Sequence, residues 1–143
     1  MTDIAFHFGA PDKAAYACRY LRKAVTHGAR VQVVCTPELI EHLDRQLWAL
    51  SSTDFVAHCG ADADDFESQN SPVLLSTSAQ VLPAQADILL NLTDEMCKGF
   101  EAYEKVVEVV SLDESDRNFA RNRWRRYTEL GFAIQRHDLT LKG

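Results

Sequence analysis

Apolar residues along this chain recur with two periods that alternate. Residues 3–8, D-I-A-F-H-F, are apolar enough and alternate enough to predict a first strand, ended by Gly9-Ala10-Pro11. Asp12 is placed to cap a helix over about residues 13–27, in which Ala14, Cys18, Leu21 and Val25 fall at helical spacing and Gly28 is the terminator. Residues 30–35, R-V-Q-V-V-C, are β-branched and predict a second strand. Thr36-Pro37 then opens a second helix by putting proline at the first helical position, and Leu39, Ile40, Leu43 and Leu47 form its buried stripe. Strand, helix, strand, helix with connections of a few residues is the signature of βαβ units, and so of a parallel sheet.

The pattern breaks at Ser51-Ser52-Thr53, and residues 55–58 read as irregular or as a short strand. Residues 60–71 are acidic and poor in apolar side chains; they lack the glycine and distal glutamate of a calcium loop, so they read as a solvated loop. Residues 73–76 and 87–92 predict two further strands, the second a near-continuous apolar run suited to a buried position. Residues 99–103 add a helical turn. The strongest strand signal is K-V-V-E-V-V at 105–110. Residues 132–134 supply an edge strand, and the polar stretch 136–143 is expected to fray. No repeat or linker interrupts this order. The expected architecture is α/β: a single Rossmann-like domain over residues 1–143, with a mostly parallel sheet and helices on both faces.

Between the last two strands lies S-D-R-N-F-A-R-N-R-W-R-R-Y-T-E-L, residues 115–130, with five arginines. Ser115 is a plausible N-cap, Asp116 sits in the first turn and Gly131 follows where a left-handed residue belongs, framing a helix of about four turns. At 100° per residue, Phe119, Ala120, Trp124, Tyr127 and Leu130 share one arc. Arg117, Arg121 and Arg125 line up beside it at i, i+4, i+8, with Trp124 on the border. Arg123 projects into the apolar arc, so it must snorkel or pair with a carboxylate. The bland reading is a packed helix with a solvated basic face. The sharper one is a recognition surface, because guanidinium groups grip carboxylates or phosphates bidentately and an adjacent ring walls an apolar pocket.

Composition narrows the choice. The 143 residues are 46% hydrophobic and 25% charged, as in ordinary globular proteins, with no apolar run near the roughly 20 residues of a membrane helix. The N-terminus carries no secretory pattern, so a cytoplasmic protein is expected. A net charge of −6 argues against broad binding to DNA or RNA, and makes any contact of the arginine helix a local one. The Asn91-Leu92-Thr93 triplet lies in an apolar run and reads as a chance glycosylation match.

Other candidate chemistry is sparse. The first strand-to-helix turn, F-H-F-G-A-P-D-K, holds neither glycine-rich phosphate motif, so no nucleotide-binding loop and no cofactor are expected. Four dispersed cysteines give no metal pattern, and His58-Cys59 has no second pair at ligand spacing. Cys35, at a strand end before a helix, leaves open the alternative of a small thiol-dependent or nucleotide-binding α/β enzyme, which would need a depressed thiol pKa. Trp48 and Phe55 are core aromatics or, if exposed, interface anchors.

Three blocks resemble the chi subunit of bacterial DNA polymerase III, an accessory protein of the clamp-loader complex. They are L-D-R-Q-L-W-A-L-S-S-T-D-F-V-A-H at 43–58, A-D-I-L-L-N-L at 86–92, and V-V-E-V-V-S-L-D-E-S-D-R-N-F-A-R-N-R-W-R-R-Y-T-E-L-G-F at 106–132. The resemblance spans nearly the whole chain in order. It implies a Rossmann-like domain with no catalytic site, whose basic C-terminal helix receives the acidic, Phe-ended C-terminal tail of the single-stranded-DNA-binding protein. By position, the gripping residues fall on Arg117, Arg121 and Arg125 and the pocket aromatic on Trp124. Arginine here replaces lysine at two of these positions, and tryptophan replaces tyrosine. Trp48 and Phe55 match the surface that docks the psi subunit or a helicase-like partner. DNA is then reached only indirectly.

Overall fold

The computed structural model describes residues 2–49, 58–60, 73–76, 87–97 and 99–139. Its strands are β1 (Asp3–Ala10), β2 (Val31–Val34), β3 (His58–Gly60), β4 (Val73–Ser76), β5 (Ile88–Asn91), β6 (Lys105–Ser111) and β7 (Ile134–Asp138). They form one sheet in the order β3-β4-β2-β5-β6-β1-β7, and every pairing is parallel. The helices are α1 (Lys13–Thr26), α2 (Pro37–Ala49) and α3 (Glu114–Glu129), with a 3-10 turn at Phe100–Ala102.

The pleat divides the core in two. Val31, Val33, Val107 and Val109 pack against Ala14, Ala17, Cys18 and Leu21 of α1 and Leu43 of α2. Ile4, Phe6, Val34, Val106 and Val110 point the other way, against Ala120 and Tyr127 of α3 and Phe100 of the 3-10 turn. Helices therefore cover both faces, as the α/β reading expects. Because both faces are covered, the central strands read as continuous apolar runs; all four residues of β2 are buried.

Local chemistry sets the helix ends. The Asp12 carboxylate accepts from the Ala15 amide and starts α1 as expected. α1 and α3 end alike. Ala29 N–H donates to Ala24 and Gly28 N–H to Val25; Phe132 N–H donates to Tyr127 and Gly131 N–H to Thr128. Both reversals need a left-handed residue after the cap, supplied by Gly28 at φ 83° and Gly131 at φ 89°.

Three expectations shift. The N-cap of α3 is Asp113, whose side chain accepts from the Asp116 amide, and Ser115 lies inside the helix. The third strand is described at His58–Gly60, reaching two residues past the expected stretch, whose residues 55–57 lie outside the described residues. The last strand begins at Ile134 and runs to Asp138, so Arg136 and His137 are held in the sheet, in register with Phe6 and His7 of β1, and do not fray. Trp48 falls in α2, but its side chain, Phe55 and the acidic loop lie outside the described residues.

Candidate functional site

The site is built by fixing the height and then the rotation of α3. Asp116, in its first turn, accepts from the Ser111 amide at 2.7 Å and from Lys13 Nζ at 2.9 Å. Burial alone would raise the Asp116 pKa. The Ser111 amide and the Lys13 ammonium outweigh it and hold the carboxyl below its ordinary value. This clasp joins the first turn of α3 to the first turn of α1 across the carboxyl end of the sheet.

Rotation is set by Glu108, a fully buried carboxylate in the middle of β6. Arg123 Nε donates to its Oε1 at 2.9 Å and the Tyr127 hydroxyl to its Oε2 at 2.7 Å, while the Asn91 amide nitrogen reaches both oxygens at 2.9 and 3.1 Å. Arg123 also donates to the Asp94 carbonyl at 2.9 Å. Burial pushes the Glu108 carboxyl up, opposed by Arg123 and by the donors from Tyr127 and Asn91. Every neighbour that touches it donates, so it sits as a carboxylate with Arg123 as counter-ion. Burial beside that charge keeps the Tyr127 hydroxyl protonated. Asn91 is wholly buried in this network, which also disposes of the glycosylation triplet.

The buried stripe of α3 is consequently Asp116, Ala120, Arg123 and Tyr127. This differs from the expected apolar arc, since Phe119 and Leu130 are 45% and 46% exposed. The polar lock on Glu108 outranks the burial of two apolar side chains in choosing which way the helix faces. Arg123 pairs with a carboxylate, as its position demanded.

With that rotation fixed, Arg117, Arg121 and Arg125 all face one cleft of about 710 Å³ together with half-buried Trp124. Trp124 packs on Phe6 and Phe8 of β1, with ring centroids 5.1 and 6.1 Å apart. The opposite wall comes from β7, where the Arg136 guanidinium lies 5.1 Å above the Phe8 ring. Thr128 and Glu129 complete the lining. Four guanidiniums thus surround an aromatic floor, and Glu129 is the one carboxylate lining the cleft among the described residues. Among the described residues Arg117, Arg121 and Arg125 make no ion pair; Arg121 donates to Asn118 Oδ1 at 2.7 Å. Such a cleft suits a carboxylate or phosphate joined to an apolar or aromatic group.

Phe8 and Arg136 escaped the sequence reading. They reach the cleft through pairing of β1 with β7, and no local periodicity encodes which strands become neighbours. The crevice where β1 and β6 send their helices to opposite faces, the usual ligand position in such sheets, holds a pocket of only about 160 Å³. This is below the roughly 300 Å³ of small-molecule sites. The thiol alternative fares no better, because Cys35 is buried and burial pushes its thiol up to about 12, against the depressed value that chemistry requires.

The fold and cleft define a Rossmann-like α/β protein with an arginine and aromatic groove in place of a nucleotide loop. The family model for the DNA polymerase III chi subunit, HolC, matches residues 1–135. The chain is 32% identical over 124 residues to DNA polymerase III subunit chi of Pseudomonas aeruginosa, covering 86% of this chain and 84% of that protein. It is 28% identical over 118 residues to the subunit chi of Escherichia coli K12, covering 82% and 79%. The chain belongs to the DNA polymerase III chi subunit family, whose members are accessory subunits of DNA replication. Among solved structures, the C-terminal domain of S. cerevisiae Dbp5, bound to Gle1 and IP6, superposes with a TM-score of 0.61 at 12% identity over 96% of this chain and 90% of that one. That likeness speaks to the fold alone. No helix among the described residues is long and apolar enough to cross a membrane.

Proposed function

We propose that this chain is a non-catalytic, cytoplasmic adaptor of the polymerase III holoenzyme, a single chi-like domain over residues 1–143. It links the clamp loader to the single-stranded-DNA-binding protein by taking the acidic, Phe-ended C-terminal tail of that protein into the α3 cleft. The supporting observation is the convergence of Arg117, Arg121, Arg125 and Arg136 around Trp124 and Phe8. The tail's terminal carboxylate is gripped by guanidinium groups, its last ring lies against Trp124 and Phe8, and the preceding acidic residues meet the remaining arginines. The surface around Trp48 and Phe55 serves the psi subunit or a helicase-like partner.

Binding of this kind is modest and salt-sensitive, because the arginines are exposed and charges at a surface are screened over about 8 Å at physiological salt. Calorimetric titration with a synthetic tail peptide tests the assignment. Charge reversal at Arg121 or Arg125, and Trp124→Ala, each weaken the complex; wild type and variants with indistinguishable isotherms would refute it.

A further inference from the structure

The outer edge of β7 has a cleft on either side of it. Among the described strands β7 pairs only with β1, and Gln135, Arg136 and His137 are exposed. Its side chains alternate between the two faces of the sheet. Arg136 turns to the α3 face, over Phe8, while His137 turns to the α1 face, where its ring lies 4.7 Å from that of His7. On that second face is a cleft of about 830 Å³ between α1 and β7. Its aromatic walls are Tyr16, Tyr20 and His137, its cations are Arg19, Lys23 and Lys105, and Arg136 borders both clefts.

Charge selects the kind of chain that fits. Arg19, Lys23 and Lys105 make no ion pair among the described residues, and Asp138 is the one carboxylate lining their cleft. The two clefts together set seven cations against two carboxylates, in a chain whose net charge is −6. An edge strand also presents a row of backbone N–H and C=O groups that only another polypeptide can complete as a ladder. Nucleic acid would answer the charge and leave that row to water.

We propose that an extended acidic peptide adds to β7 as a further strand, sending alternate side chains into the α3 cleft and the α1 cleft. This rests on the reading of the α3 cleft as the seat of a peptide's end, and it gives the preceding residues their path. β7 is five residues long, so about five residues upstream of the seated end lie along it, at roughly 3.3 Å each.

Two synthetic peptides ending in Phe separate the claims: one of four residues, and one of about ten with an acidic upstream half. Strand addition makes the long peptide bind about tenfold more tightly, the scale of one or two net ladder hydrogen bonds. It also slows hydrogen exchange of the amides at 134–138 with the long peptide alone. N-methylating alternate upstream amides, in two peptides offset by one residue, returns one of the pair to short-peptide affinity. The double variant Arg19→Glu, Lys23→Glu weakens the long peptide and leaves the short one unchanged. Equal affinity for the two lengths, or tightening that survives both N-methylated versions, overturns strand addition while leaving the cleft reading intact. A short peptide that ignores Trp124→Ala overturns the cleft reading, and strand addition with it.

Discussion

Arg121 and Arg123 are two residues apart in one helix and do opposite things. Arg123 is 3% exposed and held by Glu108, Asp94 and the wall of the core. Arg121 is exposed, and among the described side chains its hydrogen bond is to Asn118. The side chains are identical; their solvation differs. A buried guanidinium must be paired, because an uncompensated charge in the interior costs several kcal/mol, so Arg123 is committed to holding α3 in place. An exposed one is cheap to keep and weakly engaged, so Arg121 stays available to an incoming anion.

The contrast breaks most visibly at Arg123. Arg123→Met leaves Glu108 buried without a counter-ion and should cost about 3–5 kcal/mol in urea unfolding, most of it recovered by adding Glu108→Gln. Arg121→Met should stay within about 0.5 kcal/mol in the same experiment. Equal losses would mean that burial does not divide their roles. A smaller effect is expected at Tyr127→Phe, which takes one donor from the Glu108 carboxylate and should cost about 1–3 kcal/mol with the fold retained by circular dichroism.

A third test uses pH. The Asp116 carboxyl is held below its ordinary value, so its stabilisation is complete above the unfolded pKa of about 3.9 and is lost as pH falls through the folded value. Asp116→Asn should therefore cost about 1 kcal/mol near neutral pH, and the gap to wild type should close on acidification below pH ~4. A gap that stays constant with pH would mean that the Lys13 clasp is not ionic. Smallest of all is the effect of added salt on unfolding of wild type against Arg121→Met. It should be nearly nil, whereas the same salt should weaken the peptide binding proposed for the cleft.

The alternation of strands and helices was legible because each βαβ unit is a local pattern with its own punctuation, such as Asp12 before α1 and Gly28 after it. The row Arg117, Arg121, Arg125 was legible too, since spacing within one helix fixes relative direction. The phase of that helix was not. Apolar counting placed Phe119 and Leu130 inward, but two of the four inward positions are Asp116 and Arg123, polar groups whose partners lie on other elements. The start of α3 was ambiguous for a simpler reason. S-L-D-E-S-D offers several residues that cap equally well, and only the Asp113 hydrogen bond decides. Phe8 and Arg136 depend on strand order, which no window of sequence contains.

Strand order also governs when the protein becomes competent. β1 precedes β6 and β7 in the chain but lies between them in the sheet, so its hydrogen-bonding edges wait for segments made well after it. Such distant pairing slows folding and exposes the waiting strand to wrong partners. The arginine cleft takes its floor from β1 and one wall from β7, so a nascent chain still lacking β7 has the basic helix without the groove. On the proposed reading of the cleft, binding there would report that synthesis through β7 is complete, and a product truncated before β7 would not compete for the ligand.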